Sequence, residues 1–359
     1  MNRLLCHPLL LLLASLLLLS GCAETKYVMR FDPEQRTAAS TAPIWPAAPE
    51  QPRYRYVGEL LGEQNFVAEA GDTRNKGMKL LAWLVGLFDG DEDPTVLKRP
   101  QSGMVDAEGR IYVTDVSNHA VFVFDQTAGK LLVWNRAQQN RRFVTPIGIA
   151  MGAGGQVLVA DAELGQVFRL DRDGKPLGSF GQGVLTRPTG LARDAQRGRV
   201  YVSDTHAHDV KVFDDDGRLL ETIGHRGEGE GELNFPTHLA FAADKLYVTD
   251  GMNARVQIYD AQGKLSGSLG KRGLFVGNFT RPKGVTVDAS GNIYVVESFY
   301  DNLLVFNSEG SFLMPIGGTG KEIGQFYLPA GVWSDPRGRI YVADMFNGRI
   351  SIFQFLGGT

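Results

Sequence analysis

The chain has 359 residues and a formal charge of −3 from 37 basic and 40 acidic side chains, a balance that gives no basic footprint for nucleic acid. Its 44 glycines beside 43% hydrophobic content fit a globular chain with many tight turns. Two cysteines, Cys6 and Cys22, are all it carries.

Met1 to Gly21 reads as a removable export signal: Arg3 precedes an apolar run from Leu9 to Leu19, shorter than the roughly 20 residues of a spanning helix. The run ends in Leu19-Ser20-Gly21-Cys22, which resembles the lipobox of bacterial lipoproteins. That resemblance implies cleavage before Cys22, lipid on its thiol and, with Ala23 following, an outer-membrane address in the cell envelope. Cys6 would leave with the signal, so no disulfide is expected. Residues 22–53, broken by Pro43, Pro46, Pro49 and Pro52, read as a lipidated flexible tether, although Tyr27 and Trp45 leave packing on the body open. Residues 54–96 hold an alternating strand, Tyr54 to Leu61, and an apolar helical segment, Met78 to Phe88, which either covers a face of the body or docks on a partner or membrane.

From residue 97 to 359 the chain repeats. Prolines at 100, 146, 188, 236, 282 and 329, spaced by 46, 42, 48, 46 and 47 residues, each precede a short apolar run. An Asp/Gly turn and a second run follow, as in Val285-Thr286-Val287-Asp288 then Gly291-Asn292-Ile293-Tyr294-Val295, which is a hairpin signal. The second run ends in an acid (Asp115, Asp161, Asp204, Asp250, Glu297, Asp344), expected to bond turn amides. Two more runs complete four antiparallel strands per unit, and six units stacked in a ring leave no exposed edges. The sixth unit lacks a fourth run, and Tyr54 to Leu61 is placed to supply it.

The Pro-x-Gly starts, Asp250-Gly251-Met252-Asn253-Ala254-Arg255 and Asp344-Met345-Phe346-Asn347-Gly348-Arg349 resemble the NHL repeat family. The resemblance implies an all-β, six-bladed NHL β-propeller closed by an N-terminal strand, and implies a fold rather than a function. Ligand sites in such propellers usually lie on the face carrying the loops before each first strand and between second and third strands. Candidates there are His206, His208, His238, Arg255, Glu297, Phe299, Tyr300, Phe346 and Arg349. His206, His208, His225 and His238 crowd into two adjoining units, and His238 stands where Gly148, Gly190, Gly284 and Gly331 stand elsewhere. They are either a metal site of a hydrolase or lyase or ordinary loop and channel residues. Glu297, Asn253 and Asn118 are weak echoes of the calcium ligands of six-bladed lactonases. No nucleophile elbow, phosphate loop or paired-cysteine motif is present, and no catalytic residue or cofactor is assigned. The expectation is a membrane-anchored scaffold for a protein, peptide or glycan ligand, with a metal-dependent hydrolase or lyase as the alternative. Cys22→Ala is expected to abolish lipid labelling and leave precursor in fractionated cells; unchanged labelling would refute the lipobox.

Overall fold

The structure, a computed structural model, describes residues 26–31, 42–69 and 94–357; the signal, Cys22 and Met78 to Phe88 lie outside them. Six antiparallel sheets are built from the six repeats, five of them four-stranded and the last five-stranded. Blade 4 shows the plan: Pro236–Ala242, Lys245–Asp250, Arg255–Asp260 and Leu265–Leu269 pair in chain order. The second and third strands are β-branched and aromatic at nearly every position because both of their faces are covered, as in Ile293–Glu297 of blade 5, where all five residues are buried. Proline opens five of the six first strands, a position where a missing N–H costs no ladder bond. The sixth first strand is the exception, Val332–Ser334, starting three residues after Pro329.

Six apolar clusters form the core, and each joins two consecutive blades. Leu158, Val167, Phe180 and Phe213 join blades 2 and 3, for example, while Tyr247, Val256, Phe279 and Phe306 join blades 4 and 5. The first strands pack in a closed cycle, with Val332–Ser334 of blade 6 against Pro100–Val105 of blade 1. The loops linking blades 4 to 5 and 5 to 6 drop Phe279 and Phe326 into these seams. Gly270 and Gly317, at φ of +82° and +99°, make room for those rings, which a Cβ would meet at 2.1 and 2.3 Å.

Tyr54–Leu60 closes the ring. It pairs antiparallel with Arg349–Phe355, so the fourth strand of the last blade comes from the start of the chain. Tyr54 and Tyr56 enter the seam between blades 5 and 6, and Leu60 enters the seam between blades 6 and 1. The Tyr54 hydroxyl lies 3.1 Å from that of Tyr294, which donates to Asp288 at 2.7 Å. Burial pushes the Tyr54 phenol up to about 12.

Of the tether expected for residues 22–53, the described parts, residues 26–31 and 42–53, pack on the body, the outcome that Tyr27 and Trp45 left open. Tyr27–Met29 pairs with Phe66–Ala68, and Ile44–Trp45 extends blade 6 by pairing with Tyr54 and Arg55. Trp45 meets Phe353 edge-on at 5.4 Å, and Arg339 lies over the Phe31 ring. The apolar anchors Phe31 and Trp45 outweigh the proline content because each packs, partly buried, against a core cluster of the body. Truncating Tyr54 to Ala is expected to cost about 3 to 5 kcal/mol, and truncating the half-buried Trp45 about 2 kcal/mol. Urea unfolding midpoints measure both; an unchanged midpoint for Tyr54→Ala would mean the ring does not depend on its N-terminal strand.

Candidate functional site

One face of the ring carries the loops between second and third strands and the long connections between blades. On that face each acid ending a second strand is almost fully buried, and in blades 1, 2, 3 and 5 it is spent on backbone N–H groups. Asp115 accepts from Lys98, Arg99, Ser117 and Asn118, and Asp161 from Val144, Thr145, Glu163 and Leu164. Asp204 accepts from Thr186, Arg187 and Ala207, and Glu297 from Thr280, Arg281 and Phe299. A buried carboxylate without such donors would be costly, so these bonds hold the loops to the blades.

Blades 4 and 6 solve the same problem differently. Asp250 takes one amide, from Asn234, and then Asn253 Nδ2 and Arg255 Nε, both at 2.8 Å. Arg255 Nη2 reaches on to the carbonyls of Gly229 and Glu232 at 2.6 and 2.8 Å. Asp344, Asn347 and Arg349 repeat this, with Arg349 Nη2 on Glu322 and Gln325 at 3.1 and 2.9 Å. Arg349 is also paired with the buried Glu59 at 3.0 Å. The Asp-x-x-Asn-x-Arg motif is therefore an internal staple that fastens the connection ahead of its blade.

Three of the expected candidates, Arg255, Arg349 and Glu297, have their polar groups bonded into the scaffold. Asn253 and Asn118 likewise donate to connection carbonyls, of Gly227 and Val96.

The histidines separate into different roles. His208, at positive φ, accepts from the Phe235 N–H at 3.3 Å and lies 4.5 Å from its ring, the position from which Asp301 takes the Leu328 N–H two blades on. His206 is exposed beside the same Phe235, and His225 pairs with Glu232 at 3.4 Å. His238 lines the axis, with both ring nitrogens sealed from solvent and without hydrogen-bond partners. Among the described residues no three His, Cys, Asp or Glu side chains gather at one point.

Two features of this face were not singled out from the sequence. At the axis, the residue after each blade-opening proline is Gln101, Ile147, Thr189, Thr237, Lys283 or Ala330, and Lys283 is the one charged member. Burial lowers its pKa, and Arg281 and Arg99 lower it further. No ion pair to these three cations exists among the described residues. The signal was legible as the single cation at a repeat position otherwise neutral. On the rim, Met252, Phe299 and Phe346 are 59%, 55% and 49% exposed, and Leu274, Phe275 and Val276 in the connection from blade 4 to blade 5 are more so. Phe299 meets Tyr300, and Phe346 meets Tyr327 and Arg99. The turns of the opposite face carry no exposed large apolar side chain among the described residues.

Comparison with known proteins agrees with this geometry. A family model described as a 6-bladed beta-propeller matches residues 234–312, and a model of the NHL repeat matches residues 185–213. The chain is a six-bladed β-propeller with an NHL-repeat match in its third blade. A 65-residue stretch is 35% identical to Protein brain tumor of Drosophila melanogaster, 18% of this chain and 6% of that one. The propeller superposes on virginiamycin B lyase from Staphylococcus aureus with a TM-score of 0.54 at 14% identity, covering 72% of this chain and 96% of the lyase. It matches an auxiliary nutrient binding protein from Bacteroides ovatus with a TM-score of 0.56 at 14% identity, over 72% and 69% of the two chains. An enzyme and a binding protein thus share the fold at identities that carry the fold alone.

The axial histidine gives the propeller a titratable weak point. Glycine is usual at this position because a Cβ at Gly190 or Gly331 would come within 2.3 Å of the next blade's carbonyl. The ring nitrogens of His238 are sealed there; desolvation, reinforced by the Lys283 charge, lowers its pKa to about 4, and the Gln101 backbone opposes them only in part. The unfolded chain, with an ordinary value near 6.5, binds the proton more tightly, so the penalty is absent above pH 6.5 and complete below about pH 4. The loss across that window is expected to approach about 3 kcal/mol, since each tenfold difference in proton affinity between the two states is worth roughly 1.4 kcal/mol. His238→Gly should fold and lose this part of the pH dependence, read as the difference between variant and parent in urea unfolding at pH 7 and pH 4.5. An identical pH profile in both would refute it.

Proposed function

We propose that the protein is a lipid-anchored binding platform of the bacterial cell envelope whose loop-rich face holds a protein or peptide ligand. The observation that carries this reading is that the most exposed large apolar side chains of the described surface, Phe275, Leu274, Val276, Met252 and Phe299, all lie on the connections and loops of blades 4 and 5. Apolar area exposed in one region of a surface marks an interaction site. The chemistry of the face favours a polypeptide over a glycan: aliphatic Leu274, Val276 and Met252 suit apolar side chains, while Lys283, Arg281 and Arg99 at the axis suit a carboxylate.

The anchor geometry is compatible with this. Tyr27, five residues after Cys22, lies against Gly129 in a turn of the opposite face. In the proposed arrangement that face is turned to the bilayer and the rim is turned outward. Replacing Phe275, Phe299 and Phe346 together by Ser is expected to reduce partner crosslinking in intact cells at least tenfold, since a buried aromatic anchor typically contributes about 2 kcal/mol or more. Asp173→Ser with Glu309→Ser on the opposite turns should leave it unchanged. Equal crosslinking by the two sets would overturn the assignment of this face.

A further inference from the structure

The three long connections, from blade 3 to 4, 4 to 5 and 5 to 6, have the same length and the same buried anchor, Leu233, Phe279 or Phe326. Two of them are fastened by an arginine of the following blade, Arg255 or Arg349, reaching two carbonyls of the connection. Blade 5 breaks the pattern. Counting from Glu297 as from Asp250 and Asp344, the asparagine of the staple becomes Tyr300 and the arginine becomes Asn302, too short to reach the connection.

What remains there is an open cavity of about 130 Å³ between Leu274, Phe275, Val276 and Asn278 on one side and Glu297, Tyr300 and Asn302 on the other. Phe275 and Asn278 occupy the positions whose carbonyls receive the guanidinium in the sister connections. The Asn278 carbonyl and the Asn302 side-chain amide make no hydrogen bond among the described residues. Glu297 lies at the floor, its negative charge facing the cavity while its two oxygens accept the N–H groups of Thr280, Arg281 and Phe299, that of Arg281 shared between both. Where the staple is missing, the connection also carries the most exposed apolar side chains of the described surface, Leu274 and Phe275 at 78% and 83%.

We propose that this cavity is a socket for an arginine of the bound polypeptide, whose guanidinium would take the place that Arg255 and Arg349 fill in the neighbouring blades while flanking apolar residues cover Leu274, Phe275 and Phe299. This rests on the reading of the face as a polypeptide-binding surface and specifies its ligand. Guanidinium is favoured over ammonium because its planar fork can meet the two connection carbonyls at once, as Arg255 and Arg349 do in the sister blades.

The test uses the full-length protein and fluorescently labelled acetyl-Phe-Arg-Leu-amide, with the same peptide carrying citrulline, uncharged and of the same shape, as the control. Saturable binding is expected for the arginine peptide, at least tenfold weaker for the citrulline peptide. Asn302→Arg, which restores the staple from within, should raise the melting temperature and weaken the arginine peptide at least tenfold. Citrulline binding as well as arginine, no saturable binding, or undiminished affinity in a folded Asn302→Arg variant would each overturn the socket; if that variant does not fold, the citrulline comparison decides. The crosslinking of the Ser variants is read separately, so a failed socket leaves the binding face standing, and a failed face with a working socket is equally recognisable.

Discussion

The buried carboxylate at the end of each second strand is the interaction on which the upper half of this molecule depends. A carboxylate removed from water is tolerated only when its lone pairs are filled, and here they are filled by the amides of two loops that are otherwise unpaired. In blades 1 to 3 and 5 the donors are mainly backbone N–H groups of the preceding connection and the following turn. In blades 4 and 6 an asparagine and an arginine replace some of them and extend the hold to the far side of the connection. Neighbouring blades are laced by the same economy, since Phe235 and Leu328 give their N–H groups to His208 and Asp301 of the blade before.

This frame decides which polar side chains are free to meet a ligand. Residues that look like recognition elements in the sequence, two arginines, a glutamate and two asparagines, are consumed in fastening loops. What is left over is apolar rim, axial cations and the one long connection, ahead of blade 5, that no arginine fastens. The ring also has a second dependency, because its last blade is completed from the beginning of the chain. Tyr54, Tyr56 and Leu60 supply core to both seams flanking that blade, which couples its integrity to the N-terminal segment.

Much of the architecture was legible in the sequence. A period of 42 to 48 residues with proline, paired short runs and a terminal acid dictates stacked four-stranded units, and the shortfall in the sixth unit points to Tyr54 to Leu61 as the missing strand. The destination of the acids was legible too, because a carboxylate recurring after every second strand has turn amides beside it in each copy. These conclusions follow from local pattern and repetition, which act over a few residues and survive without knowledge of neighbours.

Only the tertiary structure decided how individual polar residues are employed. Arg255 and Arg349 reach carbonyls 23 to 27 residues away in sequence, so no local pattern reveals that their guanidinium groups are already occupied. The pairing of Tyr27–Met29 with Phe66–Ala68, and the seat of Trp45 on Phe353, overrode a proline-rich composition that by itself favours an extended chain. Lys283 passes in sequence for an ordinary surface lysine, since its repeat position reads as a strand start; ring closure turns that position toward the axis and places Arg281 and Arg99 beside it. Periodicity determined the blades, whereas the partners of each charge were set by contacts between blades, where distance along the chain carries no information.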